Sequence, residues 1–427
     1  MKFAILILLH VTIFVLFYDP RFVFTGTGVS KIVVILAFLL CLFSMTISSK
    51  KFQVSKNFVL CCSSFILIML LLQYLAYFKG GDSFYYRTIL SVITIHIPLA
   101  IMCSYLLGVL KTDLHKFFEM ITCVCFAQAC FIILDWISSG GTSMKQSFFA
   151  SIVLQPVSTV STYRVSGFSS IGGDGLSFVQ YIGVITSFYI STRNDISRQK
   201  KRRYGLMCFW IFFTLILVGR TGAVLSLIFI FLYLFSQKSL SNIISIMFKF
   251  AMVSVLLLAI GYIFIKQSYY DQVILQVLPH AFEFFYNFYL TGEFYTKTTN
   301  VIFSDMLVFP DNFITWMIGD GFWVNPVVEG NYVPSDIGYI RLLFYSGLLG
   351  SLLLYSWLFC AYLMIRKRFC NSNLRVFIDC YIITLFIAHI KFPFILSSVS
   401  LFIIFLFVIV NPRRKYHLVE KNICFAR

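Results

Sequence analysis

The 427-residue sequence is too apolar to form ordinary soluble domains. Hydrophobic residues make up 59% of the chain, charged residues make up only 12%, and the mean hydropathy is +0.89. Long apolar runs bounded by charges are typical of a polytopic membrane protein. The net charge of +17 does not indicate a nucleic-acid-binding protein, because no Lys/Arg run lies in a soluble domain that could present it.

Apolar runs recur along the whole chain and predict about twelve transmembrane helices. We therefore predict an all-α polytopic integral membrane protein in which residues 1–427 form a single membrane domain. The first run is interpreted as an uncleaved span, because no small-residue cleavage site follows it. Several runs are shorter than the roughly 20 helical residues that cross a bilayer. The runs are 3–18, 30–47, 58–78, 88–110, 117–137, 175–192, 205–219, 221–236, 248–265, 337–364, 376–390 and 393–410.

The distribution of charge predicts the orientation of these spans. With the N-terminus inside, the inner side carries 23 basic and 5 acidic residues, and the outer side carries 11 basic and 12 acidic residues. The inner excess is concentrated in 193–203, 366–368 and 413–415. Because positive charge favours the cytoplasmic side, both termini are predicted to be cytoplasmic.

Two long outer segments interrupt the pattern of spans, one over 138–174 and the other over 266–336. The first is rich in Ser, Gly and Thr, and the second contains eight acidic residues and an aromatic cluster at 282–289. Loops of this length are usually functional or disordered, and clustered aromatic rings favour the membrane interface. Since the inner loops are short, any chemistry is predicted at the outer face.

Three arginines lie at the outer ends of predicted spans. Arg220 divides a 32-residue apolar stretch at Gly219-Arg220-Thr221-Gly222, which predicts a hairpin that turns at Arg220. An arginine at this depth costs up to about 3 kcal/mol unless it is paired, so a structural pair with Asp135 or Asp174 is the alternative to a ligand-binding role.

Arg164 and Arg341 are the other two. Arg164 precedes a glycine-rich entry to a helix that includes Gly175, where backbone N–H groups can approach an anion. An ordinary loop-to-helix entry is the alternative. Arg341 lies one turn inside its span with Asp336 at the entry, and an Asp336–Arg341 ion pair is the alternative there. Guanidinium groups bind phosphates bidentately, so the three arginines predict a site for a lipid-borne phosphate. No cysteine or histidine spacing indicates a metal.

The motifs and the layout together resemble the bacterial O-antigen polymerases (Wzy), which are related to the O-antigen ligases. The resemblance implies a GT-C-like membrane architecture and a location in the bacterial inner membrane. The motifs that carry it are Tyr163-Arg-Val-Ser-Gly, with an arginine–ten residues–glycine spacing from Arg164 to Gly175, then Gly219-Arg-Thr-Gly, and Ser335-Asp-Ile-Gly-Tyr-Ile-Arg with Gly347-Leu-Leu-Gly350.

This resemblance implies a glycosyltransferase reaction that needs no cofactor. The growing polysaccharide is transferred from undecaprenyl diphosphate, the carrier and leaving group, to a sugar hydroxyl of a new undecaprenyl-diphosphate-linked repeat unit. Arg164, Arg220 and Arg341 would bind the diphosphate, and Asp336 or, second, Asp174 would accept the hydroxyl proton. The implied partners are membrane lipid, the lipid-linked oligosaccharide, a chain-length regulator and a flippase.

Two other functions remain open from the sequence. An O-antigen ligase would carry a histidine at the position that Asp336 holds here, counted back from Gly347. A flippase or other transporter would fit the number of spans. Many transporters are built from repeats, however, and the second half of this chain does not visibly repeat the first.

Overall fold

The computed structural model describes residues 2–20, 30–47, 54–138, 169, 173–237, 283–292, 296–327, 330–369 and 372–410. Most of these residues are helical, and no strand occurs among them beyond a single antiparallel bridge between Val324 and Asn331. This part of the chain is therefore all-α. Its helices are α1 (Lys2–Tyr18), α2 (Ser30–Ile47), α3 (Lys56–Phe78), α4 (Phe84–Leu110, with a π-helical turn at Val92–His96), α5 (Leu114–Ser138), α6 (Gly173–Thr192), α7 (Arg198–Val218), α8 (Arg220–Gln237), α9 (Glu283–Thr291), α10 (Lys297–Ser304), α11 (Phe313–Ile318), α12 (Gly338–Arg368), α13 (Ser372–Ala388) and α14 (Ser398–Ile409).

Five of the described helices are long and apolar enough to cross a membrane: α3, α4, α5, α8 and α12. They confirm the runs predicted at 58–78, 88–110, 117–137, 221–236 and 337–364 as apolar helices of membrane-crossing length. Shorter apolar helices occupy Phe3–Tyr18 and Ser398–Ile409. The total of twelve spans stays a prediction, and the run at 248–265 lies outside the described residues.

Helix α3 illustrates why these helices suit a membrane. Phe65, Met69 and Leu72 are buried inside the protein, whereas Leu67 and Leu71 on the same helix are exposed. A helix that is apolar on its packed side and on its open side is stable only where the surroundings are also apolar. The exposed leucines therefore indicate a lipid-facing surface.

The chain forms two compact units. The first comprises 1–17, 29–121 and 302–427, and the second comprises 18–28 and 122–301. In the first unit α3 packs on α12, where the Trp357 indole N–H donates to the Cys61 carbonyl (3.0 Å) and the rings of Phe65 and Trp357 lie 4.5 Å apart. In the second unit the buried helix α6 packs on α7 and α8.

Each unit contains a helix break at a glycine. Gly219 is extended (φ 174°) and separates α7 from α8. The interruption predicted at 219–222 is thus confirmed, although the break falls at Gly219, since Arg220 is already the first residue of α8. In the first unit Gly347 breaks α12 with a left-handed backbone (φ 66°, ψ −174°), a conformation that favours glycine.

Candidate functional site

Asp82, in the turn between α3 and α4, binds a distant segment of the first unit. Its carboxylate Oδ2 accepts hydrogen bonds from the backbone N–H groups of Trp323 (2.6 Å) and Val324 (2.9 Å). Its Oδ1 accepts from the backbone N–H of Phe84 (3.0 Å), and its own N–H donates to the Gly321 carbonyl (2.9 Å). Charge-assisted bonds of this kind are the stronger ones, so Asp82 fixes the main chain at 321–324.

Trp323 in turn forms the surface on which the Arg341 guanidinium lies. The ring of Phe84 stacks on Trp323, with centroids 3.9 Å apart and planes 5° from parallel. The Arg341 guanidinium carbon lies 4.1 Å from the centroid of the same ring, and its Nη2 donates to the Trp323 carbonyl (3.4 Å). Because Phe84 covers one face of the indole, the guanidinium lies over the other in a cation–π contact.

Arg341 is buried, with 8% of its surface exposed, and it has no close counter-ion among the described residues. The alternative of an Asp336–Arg341 ion pair is therefore wrong at salt-bridge distance. Asp336 is half-buried and accepts a hydrogen bond from the Asn331 amide (3.2 Å). Asp336 and, more weakly, Asp82 act on the guanidinium only at longer range. A buried cation that has no carboxylate in contact attracts an anion strongly.

The segment around Gly319 completes the broken helix α12. The N–H of Asp320 donates to the Phe344 carbonyl (2.6 Å), and the N–H of Gly321 donates to the Tyr345 carbonyl (3.0 Å). The break at Gly347 removes helical donors from this part of α12, and buried carbonyls need a replacement. The approach is so close that a Cβ atom on Gly347 would lie 2.3 Å from the Ile318 nitrogen.

Lys79 binds the same segment from the end of α3. Its ammonium donates to the Ile318 carbonyl (2.9 Å) and to the Gly319 carbonyl, at the C-terminal end of α11. A cation is favourable at a helix C-terminus. Burial lowers the pKa of Lys79 from its ordinary value of 10.5, and the charge of Asp320 opposes that shift.

Asp320 contributes to the order of this segment through two hydroxyl groups. Its carboxylate accepts from the Thr315 hydroxyl (2.6 Å) and from the Tyr332 hydroxyl (3.2 Å). Burial raises the pKa of Tyr332, and the neighbouring carboxylate raises it further. Segment 318–324 is thus bound to α3, α4 and α12 by side-chain and backbone contacts.

The second unit contains a different polar cluster around the break between α7 and α8. The Ser177 hydroxyl donates to the Gly219 carbonyl (2.8 Å) and accepts from the Gly222 N–H (2.6 Å). The Thr221 hydroxyl donates to Asp174 Oδ1 (2.7 Å). The start of α6 therefore supplies partners to the backbone that the break exposes.

Arg220, in this cluster, is ion-paired. Its Nη1 lies 2.6 Å from Glu283 Oε2 on α9, and the two side chains are 22% and 19% exposed. The sequence suggests Asp135 or Asp174 as the structural partner of Arg220. Instead the described counter-ion is Glu283, and Asp174 bonds to Thr221. The side chain of Asp135 lies outside the described residues.

The predicted site residues fall into three groups. Arg341 and Asp336 belong to the first unit, and Arg220 and Asp174 belong to the second. Arg164 lies outside the described residues, as does most of 138–174. Within the part of the chain that the structure describes, no cluster of three His, Cys, Asp or Glu side chains suits a metal ion.

Sequence reasoning missed the residues that surround Arg341. Asp82 and Trp323 are more than 200 residues apart in the chain, so no local pattern connects them. The available signals were a charged, glycine-containing turn at 79–82 between two apolar runs and a tryptophan within a polar segment. No protein-family model and no curated protein matches the sequence. Function must therefore be inferred from the site geometry and the motifs.

Proposed function

We propose that this protein is a membrane glycosyltransferase of the O-antigen polymerase type. It transfers the growing O-polysaccharide from undecaprenyl diphosphate to a sugar hydroxyl of a new undecaprenyl-diphosphate-linked repeat unit. The reaction takes place at the periplasmic face of the bacterial inner membrane. The proposal combines the motif resemblance with one structural observation, which is the burial of Arg341 against the ring of Trp323.

The position of Arg341 against Trp323 supports binding of a phosphate group in a membrane setting. Arg341 begins the second turn of an apolar helix of membrane-crossing length, is nearly buried, and is oriented by Trp323 without a carboxylate in contact. A buried guanidinium is costly at this depth, and a structural role would be better served by a paired carboxylate. A diphosphate that enters the site would supply a negative charge in direct contact with the guanidinium.

The reaction assigns a separate role to each of two residues. The acceptor hydroxyl oxygen bonds to the anomeric carbon, while the bond from that carbon to the diphosphate oxygen breaks. Arg341 stabilises the negative charge that develops on the departing diphosphate. Asp336, five residues before it and bound only to Asn331 among the described residues, accepts the hydroxyl proton. Arg164, Arg220 and Asp174 stay predictions for further contacts.

Deletion of the gene in its host, followed by gel analysis of lipopolysaccharide, tests the proposal. A polymerase predicts that the ladder of chain lengths collapses to core plus a single repeat unit. Core without any repeat unit would contradict the proposal and indicate a ligase or a flippase. An unchanged ladder would contradict it as well.

Complementation of the deletion strain then tests Arg341. The Arg341→Ala variant is expected to leave the collapsed ladder, because the charge on the diphosphate loses its main partner. Arg375→Ala provides a matched control, since Arg375 is an exposed arginine on α13. It is expected to restore the full ladder. A full ladder with Arg341→Ala, at normal protein level in the membrane, would show that the site is elsewhere.

A further inference from the structure

The Asp82 carboxylate binds backbone N–H groups from two distant parts of the chain. Three main-chain N–H groups, those of Phe84, Trp323 and Val324, donate to its two carboxylate oxygens. A carboxylate that accepts several backbone N–H bonds fixes the main chain of the donors more firmly than a neutral side chain does. Its bonding therefore defines where Trp323 and Phe84 lie.

Trp323 contacts the Arg341 guanidinium, and Phe84 supports the indole ring from its other face. Both backbone polar groups of Trp323 form hydrogen bonds: its N–H donates to Asp82, and its carbonyl accepts from Arg341. Its ring is held between Phe84 on one face and the guanidinium on the other. A shift of Trp323 would displace both groups that orient Arg341.

The backbone of Asp82 is also fixed, which makes it a firm point of attachment. Its carbonyl accepts from the Gln73 amide (2.8 Å) and the Tyr345 hydroxyl (3.2 Å), while its N–H donates to Gly321. Gln73 lies on α3 and Tyr345 on α12. Asp82 thus connects two long apolar helices to the segment that carries Trp323.

We propose that Asp82 is a positioning residue for Arg341, acting through the backbone and the stacked ring of Trp323. The functional part of this inference rests on the proposed role of Arg341 at a diphosphate. A misplacement of a binding group by about 1 Å can lower a rate by about 100-fold, so loss of the Asp82 carboxylate impairs transfer although Asp82 never contacts the substrate.

The geometry is tested first, without any assay of activity. The full-length protein is labelled with 5-fluorotryptophan, and its ¹⁹F spectrum is recorded in detergent. The chain has five tryptophans, and the Trp323→Phe variant identifies the Trp323 resonance. Both Asp82→Ala and Arg341→Ala are expected to shift that resonance and to leave the Trp357 resonance in place. An unshifted Trp323 resonance in Asp82→Ala overturns the inference, whatever the function.

Asp113→Ala is the matched control for the loss of an aspartate whose carboxylate binds a backbone N–H group. The carboxylate of Asp113 also accepts a backbone N–H, that of Lys116 (3.2 Å), but at the start of α5. This variant is expected to leave the Trp323 resonance unchanged. If it produces the same shift, the effect of Asp82→Ala reflects general disturbance and the positioning role is wrong.

A double-mutant cycle in cells tests the functional part. Asp82→Ala is expected to reduce the yield of polymerised lipopolysaccharide about tenfold or more, and Asp82→Asn, which keeps one oxygen acceptor, less than that. The combined Asp82→Ala/Arg341→Lys variant is expected to match Arg341→Lys alone, because lysine lacks the planar group that Asp82 positions through Trp323. Membrane levels of each variant are measured by immunoblot, and Asp82→Asn replaces Asp82→Ala in the cycle if the latter does not accumulate.

The outcomes of the cycle separate the two proposals. Full polymerisation with Asp82→Ala and Asp82→Asn, or a further large loss in the double variant, overturns the positioning role while the proposed function stands. Full polymerisation with Arg341→Ala overturns the proposed use of Arg341 and, with it, the functional part of this inference. In that case the Trp323 resonance still decides whether Asp82 fixes the arginine.

Discussion

Arg341 and Arg220 both lie close to a glycine break in an apolar helix, yet their surroundings differ. Arg341 precedes the break at Gly347 and lies against an indole ring, with no carboxylate in contact among the described residues. Arg220 directly follows the break at Gly219 and is paired with Glu283. The same residue type in similar sequence settings is therefore in direct contact with a carboxylate in the second unit, whereas in the first unit the carboxylates of Asp336 and Asp82 act on it only at longer range.

The difference shows which arginine is better prepared for an anionic ligand. A diphosphate at Arg220 would have to displace Glu283. At Arg341 it would meet a guanidinium that is held by the uncharged ring of Trp323. Cation–π contact orients the group without neutralising it. Within the proposed function, we therefore expect Arg341 to be the main contact of the diphosphate, while Arg220 stays a prediction for a further one.

The largest expected effect comes from replacing each arginine by lysine. Lysine keeps the charge but has neither the planar group that stacks on Trp323 nor the fork that binds phosphate bidentately. Arg341→Lys is therefore expected to lower the yield of polymerised lipopolysaccharide more than about tenfold. Arg220→Lys can still pair with Glu283 and is expected to keep most of it. Densitometry of the ladder, normalised to membrane protein level, checks this, and equal losses would contradict the comparison.

The two helix breaks should also respond differently to alanine. In Gly347→Ala a left-handed backbone and a Cβ atom 2.3 Å from the Ile318 nitrogen both oppose the change, with an expected loss of about 3 kcal/mol or more in stability. Gly219 is extended, and its nearest contact is the Ser177 Cβ at 3.3 Å. Gly219→Ala is expected to lose less than about 1 kcal/mol.

Thermal unfolding in detergent, followed by size-exclusion chromatography of fluorescent fusions, measures both glycine variants. The melting temperature of Gly219→Ala is expected to lie close to that of the wild type, and the melting temperature of Gly347→Ala is expected to lie far below both. If Gly347→Ala melted with the wild type, the close approach of segment 318–321 to α12 would be refuted.

The pair between Arg220 and Glu283 predicts a smaller, compensable effect. Arg220→Gln or Glu283→Gln alone breaks this half-buried ion pair while keeping one of its charges, and is expected to destabilise the protein by about 1–2 kcal/mol. The double variant removes both charges and is expected to recover most of that loss. Melting temperatures of the four proteins give the coupling, and strictly additive losses would show that the two side chains act independently.

The smallest expected effect concerns Lys79 and pH. Folding lowers the pKa of Lys79 below 10.5, so between the two pKa values the unfolded chain binds more protons than the folded chain. Stability then rises with pH across that window. The melting temperature of the wild type, compared with that of Lys79→Met, is therefore expected to improve as the pH rises toward 10.5. If the difference in melting temperature between the two proteins did not change with pH, the lowered pKa of Lys79 would be contradicted.

The helices were predictable because their signal is local. Apolar runs at 58–78, 88–110, 117–137, 221–236 and 337–364 correspond to α3, α4, α5, α8 and α12. The position of Arg341 in α12 also followed from the sequence, and its N–H bonds to the Ile337 carbonyl as expected for the first turns of a helix. Hydropathy and charge are read from neighbouring residues, so these features need no knowledge of the tertiary structure.

The partners of the arginines were not predictable for the opposite reason. In the sequence Glu283 stands out only as part of an aromatic interfacial cluster, whereas in the structure it pairs with Arg220 from 63 residues away. Proximity in sequence offers an ion pair with Asp336 as the alternative to a ligand-binding role for Arg341, but the guanidinium lies on Trp323 instead. Which polar groups meet is decided by how the helices pack, and one sequence does not contain that information in local form.

The hydrogen bonds from Asp320 and Gly321 to α12 also bear on the order in which the chain is synthesised. The ribosome completes residues 318–321 before it begins residues 338–347, so the donors exist before the carbonyls of Phe344 and Tyr345 emerge. In the opposite order, an interrupted helix would have to enter the bilayer with unsatisfied carbonyls, each of which costs several kcal/mol. The position of this segment ahead of α12 therefore favours membrane insertion of a helix that is not continuous.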